Sequence, residues 1–567
     1  MFDIFSFMIA AFHRFVNLLK QRLNHWTSSE IACSRLSMPH TAGRRRIGLL
    51  RKGVRPVKLN RTSLLYSTLI LTGVSAVAQA VGFIYRIFLS RLIGAEVMGL
   101  YQLILPVYSV MTALTASGLT VAVSTLSSEY HALHNHRAVS QLLRMALRLF
   151  VLLWAVIAAV VFFGSDAISV SILGDARTQL GLIFLLPCLL LTGVENLHKH
   201  HFYGVGEVRL PAAVELGEQF IRAGAVLGLL VLFLPQYPER VVGLIVLGML
   251  CSEVFSSSTL TMLRRRRERA RTVPEGRGEA SGLLCWRLCK TAAPIGATAL
   301  LNTLMSSLNA VLIPQRMVAA GMEVTEAISS FGVLFGMTMP LLMLPSAFIS
   351  ALCLVIVPKL TECCTVGNRR ACQEKVGKAL LATSVLTLPA LALLVPLGPT
   401  IGVSLFQDAR AGEHILPLSI GVALSCYQSV LAAALNGVQR QNWAAAVSLL
   451  CGGLQLAFTW VGTGLPGVGL YGYILGFVVS SALSVLVELV MVARCMGLRL
   501  SLFQALTAPA LSSLLTGLCV NLLFHALSSM GMAAAPAIVI CLCFGLFLYL
   551  LALHVQGVEP LRLFHLK

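Results

Sequence analysis

Apolar runs long enough to cross a bilayer recur about fourteen times along this chain, and that repetition limits what it can fold into. A helix needs about 20 consecutive apolar residues to span the hydrocarbon core. Runs that meet or approach this length lie at residues 64–92, 100–126, 142–163, 178–197, 211–234, 241–263 and 291–313. Seven more lie at 331–357, 379–397, 415–435, 443–461, 468–492, 502–523 and 534–554. Of the 567 residues, 57% are hydrophobic and only 12% are charged, whereas an ordinary soluble domain carries about 25% charged residues. A mean hydropathy of +0.84 cannot be hidden in a soluble core, because a water-exposed surface must be covered with polar groups. The expected fold is all-α and membrane-embedded.

Charge supplies the topology. The net charge is +20, a value that elsewhere points to nucleic acid. Here the charges sit between the apolar runs, so the nearby counter-charge is anionic lipid headgroups, and no nucleic acid partner is expected. Assigning alternate connections to the two sides puts 36 lysines and arginines on one side and four on the other. The positive side is cytoplasmic, which places both termini in the cytoplasm. The fifteen cysteines mostly lie inside apolar runs, where cysteine is a small hydrophobe. Cys363, Cys364 and Cys372 share one short connection without zinc-site spacing, and no metal is expected.

The chain divides into a basic extension (1–60), six spans (61–263), a charged linker (264–290), six spans (291–493), and two further spans with the tail (494–567). Residues 1–23 are apolar with scattered basic side chains and could lie on the membrane as an amphipathic helix. An internal repeat supports the division. FYGVGEVRLPAAVELG resembles LNGVQRQNWAAAVSLL, with Gly204 and Gly437, and Ala213 and Ala446, each 233 residues apart. ASGLTVAVSTLSSE resembles ISALCLVIVPKLTE, with Glu129 and Glu362 at the same displacement. Six spans intervene, so the two lobes run parallel, related by an axis along the membrane normal.

The segment from Gly82 to Glu129, with GFIYR, SRLIGAE, GLYQLILP and SGLTVAVS, resembles the opening of the stage V sporulation protein B family. That family belongs to the superfamily of multidrug, oligosaccharidyl-lipid and polysaccharide exporters. ELGEQFIRAGAVL in span five and LNAVLIPQRM in span seven fit as well. The resemblance implies a flippase rather than an enzyme. Its cargo would be a polyprenyl-diphosphate-linked oligosaccharide such as the peptidoglycan precursor lipid II, for cell wall or spore cortex synthesis. Membrane lipids and the cell wall synthesis machinery are the partners this implies.

Such a cargo needs a hydrated cavity with cations for its diphosphate, because unpaired charge in hydrocarbon is costly. Arginine suits the task through its planar fork of donors. Arg86 in span one and Arg222 in span five are the candidates, since an intramembrane arginine is expensive to insert; snorkelling is the competing reading for Arg86, and more so for Arg91. Glu218 and Arg222 share a helix face and can pair. Asn302 and Asn309 share a face of span seven and could line the other side of the cavity. Glu253 and Glu488 read as isolated intramembrane carboxylates, hence candidate ion-coupling sites. His198–Glu207, HKHHFYGVGE, reads as a solvated loop rather than a metal site. No GxxxxGK[ST] loop is present, so ATP and other cofactors are not expected. Pro340 and Pro345 suggest a bent span eight. A cation-coupled multidrug antiporter is the runner-up; two extra spans and an arginine in place of a span-one carboxylate favour the flippase. A polymerase would need a large external loop, which is missing, and a non-transporting scaffold stays open.

Overall fold

The computed structural model describes residues 61–270, 278–365, 368–496 and 506–557. The amphipathic stretch expected at 1–23 lies outside them. Residues Leu65–Lys567 form one compact unit, and no strand occurs among the described residues.

Fourteen stretches are long and apolar enough to cross a membrane. Large apolar side chains point outward from them: Val160 is 66% exposed and Leu522 70%. In water such a surface would be costly; in hydrocarbon it is not. The first stretch, Ala76–Ala132, has 57 residues, about twice what one crossing needs. It bends at Gly94, whose φ of 75° and ψ of 176° leave the helical region and suit only a residue without Cβ. The result is two spans, α1 (61–93) and α2 (95–132). The sequence placed a connection at 93–99, but the chain turns on one glycine. Conversely, Val324–Leu342 and Ser346–Thr365 form a single bent crossing, α8, with its turn at 343–345. Pro340 stands in the helix just before that turn and Pro345 is its last residue, where a missing N–H favours a bend.

The other spans are α3 (His136–Phe163), α4 (Gln179–Gly204), α5 (Arg209–Phe233), α6 (Val241–Ala270), α7 (Ser281–Ala319), α9 (Arg369–Ile401), α10 (Ile415–Gly437), α11 (Gln441–Gly462), α12 (Leu470–Met496), α13 (Ala508–Ser529) and α14 (Ala534–Val555). Two expectations change. The stretch read as a loop at 198–207 continues α4 as helix to Gly204, with His198 Nδ1 2.7 Å from the Val194 carbonyl. The linker begins as helix too, because α6 runs on through RRRRERA to Ala270. Polar residues at a span's end look like a loop in hydropathy, yet arginine and glutamate are good helix formers.

The repeat is visible in local geometry, always at the 233-residue displacement. Asn135 caps α3 by accepting from Ala138 N, and Asn368 caps α9 by accepting from Ala371 N, both at 3.1 Å. Gly174 and Gln407 both turn left-handed, at φ 81° and 60°. Each is followed by Asp-Ala-Arg, in which the carboxylate accepts from the arginine backbone (2.9 and 3.0 Å) and pairs with its guanidinium (2.7 Å in both). Arg177 reaches on to Glu96 at 2.7 Å, and Arg410 to Ser329 at 3.0 Å. Gly204 lies against Ser124 and Ser127, and Gly437 against Val357 and Leu360. Two six-helix lobes thus share one packing scheme. α13 and α14 add to the second, α13 setting Gly517 against Ala392 of α9.

Candidate functional site

The lobes meet unevenly. At the end away from the linker, α2 crosses α8 at Gly99 and Gly332, where added side chains would strike the backbone carbonyls of Ile328 and Ala95 respectively. The contact is reciprocal, so the pseudo-twofold axis passes through it. Arg91 donates to the Ser404 carbonyl and, at 2.7 Å, to the Leu405 carbonyl. Gln315 of α7 donates to the Ile172 carbonyl at 2.5 Å. Leu405 and Ile172 are repeat mates, so each lobe's first helix caps the last helical turn before the other lobe's left-handed corner. The α2–α7 seam is also shut, with Gly118 packed on Ala292 and Gly296, and Ser307 donating to the Pro106 carbonyl at 3.1 Å. Nearer the linker, Arg287 pairs with Glu129 at 2.7 Å.

Between α1 and α8 the lobes separate. A cavity of about 800 Å³ opens on the linker side of the Gly99–Gly332 crossing, walled by α1, α2, α5 and α8. Arg86, Arg222, Glu215, Gln79, Gln102 and Gln219 give it a polar first-lobe wall with two cations and one carboxylate; Phe335, Met339 and Met343, with Ser346 and Ser350, give it a mainly apolar second-lobe wall. The volume falls in the range of small-molecule clefts. Arg86 and Arg222, singled out from sequence, therefore face one space. Arg91 does not; it belongs to the closed end.

Behind Arg222 lies a buried ionic cluster. Arg222 Nη2 pairs with Glu218 and, at 3.0 Å, with Glu253, and Nε donates to Ser252 Oγ at 3.3 Å. Lys199 of α4 pairs with Glu195 at 2.5 Å and stands 3.6 Å from Glu218. Glu253 is therefore not isolated, as the sequence suggested. Its partner arrives from the neighbouring helix, a relationship no one-dimensional reading exposes. Glu195 and Lys199 were missed because they sat at a predicted span edge. Their signal was available: Glu195/Lys199 and Glu218/Arg222 repeat the same i,i+4 acid–base spacing on adjacent helices. The three carboxylates each offer an oxygen within 4.8 Å of the others, near enough for a metal. Lys199 and Arg222 already supply the cationic charge there, so the residues fit an ion-pair cluster better than a metal centre.

Asn302 and Asn309 do share a face, but not the face expected. They line a separate pocket of about 200 Å³ inside the second lobe, with Gln428, Cys451, Gln455 and Ser481. Asn309 Oδ1 accepts from Thr459 Oγ1 at 2.7 Å. By the repeat, Gln428, Cys451 and Gln455 stand where the first lobe has Glu195, Glu218 and Arg222. The second lobe thus holds neutral groups where the first holds charge. Glu488 lies two turns along α12 from Ser481. It is 1% exposed, and both carboxylate oxygens lack a partner among the described residues.

Outside the spans, hydrogen bonds from Arg410 hold the Asp408 carboxyl below the usual carboxylate range. Burial raises Asp175, but the hydrogen bonds of Arg177 outweigh it and the net shift is downward. Both clasps therefore stay ionised at neutral pH.

Comparison with known proteins agrees with this architecture. The chain is 22% identical over 441 residues to stage V sporulation protein B of Bacillus subtilis (strain 168), covering 76% of this chain and 84% of that protein. It is 22% identical over 416 residues to the lipid II flippase MurJ of the same organism, covering 69% and 75%. Among solved structures, a lipid II flippase MurJ in an inward closed conformation superposes with a TM-score of 0.65 at 11% identity, covering 86% of this chain and 98% of that one. An inward-facing multidrug resistance MATE transporter of the MOP superfamily gives 0.61 at 14% identity, covering 76% and 98%. These likenesses carry the fold. The profile described as polysaccharide biosynthesis protein matches residues 64–363, and with more than half of its length so matched the chain belongs to the polysaccharide biosynthesis protein family.

Proposed function

We propose that this protein flips a polyprenyl-diphosphate-linked sugar, of the lipid II kind, across the cytoplasmic membrane by alternating access. The observation that carries the reading is the pair Arg86 and Arg222 on one wall of an inter-lobe cavity whose opposite wall is mainly apolar. The guanidinium groups suit a diphosphate; the apolar wall, on bent α8, suits the first isoprene units. The relatives named for lipid II flipping and for sporulation support the same cargo class. The linker end faces the cytoplasm in this reading, so the closed Gly99–Gly332 end faces outward and the cavity awaits cargo from inside. Glu253 and Glu488 are the candidate ion-coupling groups, and the neutral pocket at Asn302 and Asn309 is a candidate subsite for uncharged polar groups of the cargo. The test is growth rescue in a bacterium depleted of its own lipid II flippase. Rescue without added export of cationic dyes is expected; dye export without rescue would assign the antiporter class instead.

A further inference from the structure

Arg222 belongs to two environments at once. Its side chain is 22% exposed and lines the cavity, while Nη2 and Nε donate to groups behind the wall, Glu218, Glu253 and Ser252. Glu253 is 3% exposed. One of its oxygens accepts from Arg222, and the other has no hydrogen-bond partner among the described residues. The groups facing it are Glu195 and Lys199 from α4, Glu218 and Arg222 from α5, and the uncharged Tyr108 and Cys188. With all five charged groups ionised, three carboxylates would face two cations, one negative charge in excess.

We propose that Arg222 exchanges partners when cargo binds, and that Glu253 takes up a proton in compensation, coupling one proton to each diphosphate. The inference rests on the flippase reading. A diphosphate carries more negative charge than one carboxylate and presents paired oxygens to the guanidinium, so it wins the contest for Arg222. Glu253 then keeps neither cation nor donor, and a buried carboxylate left that way is costly. A proton from solvent, entering through the cavity, binds the free oxygen and removes the excess charge. The Glu195 carboxylate, with an oxygen within 4.8 Å, is the acceptor toward which the new O–H turns. Linkage fixes the sign: if cargo binding takes up a proton, lower pH must tighten cargo binding.

The experiment uses the full chain in detergent, in choline buffers free of sodium and potassium, with geranyl diphosphate as probe. Binding and proton uptake are recorded together from pH 6 to 8 for wild type and Glu253→Gln, so that the titration of the probe itself cancels in the difference. Wild type should take up about one proton more per diphosphate than the variant, and its affinity should fall by up to about tenfold per pH unit as pH rises, while the variant's shows no such extra slope. A protonated-carboxyl infrared band should appear in wild type on adding the probe, a readout that stands even if the variant does not fold. Equal uptake and equal slopes with both proteins binding, or no new carboxyl band, would overturn the coupling and leave the flippase reading intact. An affinity that depends on added sodium and not on pH would overturn the proton assignment. Absence of any diphosphate binding by wild type would remove the flippase reading and this inference together.

Discussion

Gly99 and Gly332 meet backbone to backbone, each occupying the space that the other's side chain would need. They stand 233 residues apart, on α2 and α8, and the local axis of the repeat runs between them. A transporter built from two like lobes can rock about such a contact without breaking covalent connections.

A side chain at this crossing has to push helix backbone aside. Gly332→Ala should destabilise the closed end by about 1–3 kcal/mol, the usual cost of overpacking. In the flippase reading that shifts the resting population toward the opposite access state. A single cysteine at Leu405 should then react faster with an impermeant thiol reagent from outside the cell. Unchanged labelling would mean that the crossing does not hold the closure.

Arg91 and Gln315 occupy mirrored roles, so their loss should act in the same direction with different size. Arg91→Ala removes a charged donor, with a cost of about 1.5–3 kcal/mol; Gln315→Ala removes a neutral one, with a cost of about 0.5–1.5 kcal/mol. The same labelling assay should rank the double variant above Arg91→Ala, and Arg91→Ala above Gln315→Ala. Equal labelling of all three and wild type would reduce Arg91 to snorkelling.

Lys199 neutralises Glu195 deep in the bundle. Lys199→Ala leaves an uncompensated buried charge, and breaking such a pair costs about 3–5 kcal/mol. The variant should melt well below wild type in detergent, and adding Glu195→Gln should recover most of the loss. A single variant as stable as wild type would show that the cluster is solvated in the working protein.

The Asp408–Arg410 clasp provides a control for pH effects. The Asp408 carboxyl is held low by Arg410, so its contribution is present above the ordinary carboxylate value and is lost only as pH falls below it. Asp408→Asn should therefore lower transport by a constant factor between about pH 5 and 8. A changed pH profile would implicate the clasp in proton coupling.

The spans were legible because the solvent is simple: hydrocarbon rejects polar backbone, so every crossing announces itself as an apolar run. The break at 93–99 was legible, but not that the chain turns there on the single residue Gly94, because hydropathy marks a connection and not its backbone geometry. The repeat was legible in Gly204 and Gly437, which pack against the same helix in each lobe, yet the two Asp-Ala-Arg clasps escaped notice although they share the displacement. At the site, the two arginines could be picked out because charge inside a span is rare. Which residues surround them depends on packing between helices. The pairing of Glu253 with Arg222, and the withdrawal of Asn302 and Asn309 into a second pocket, are properties of that packing.

The most direct measurement is the share of labelled lipid-linked peptidoglycan precursor that becomes exposed on the outer surface of cells lacking their own flippase, with protein abundance quantified in the same cells. Expressing this protein should restore exposure. Arg86→Ala should abolish it at near-normal abundance, and Arg86→Lys, which keeps the charge but loses the fork, should restore it only in part. Losing a charge-assisted contact to diphosphate corresponds to about 1.5–3 kcal/mol, or roughly ten- to a hundredfold in affinity. Full exposure with Arg86→Ala at normal abundance, or no exposure with the wild-type protein, would contradict the account.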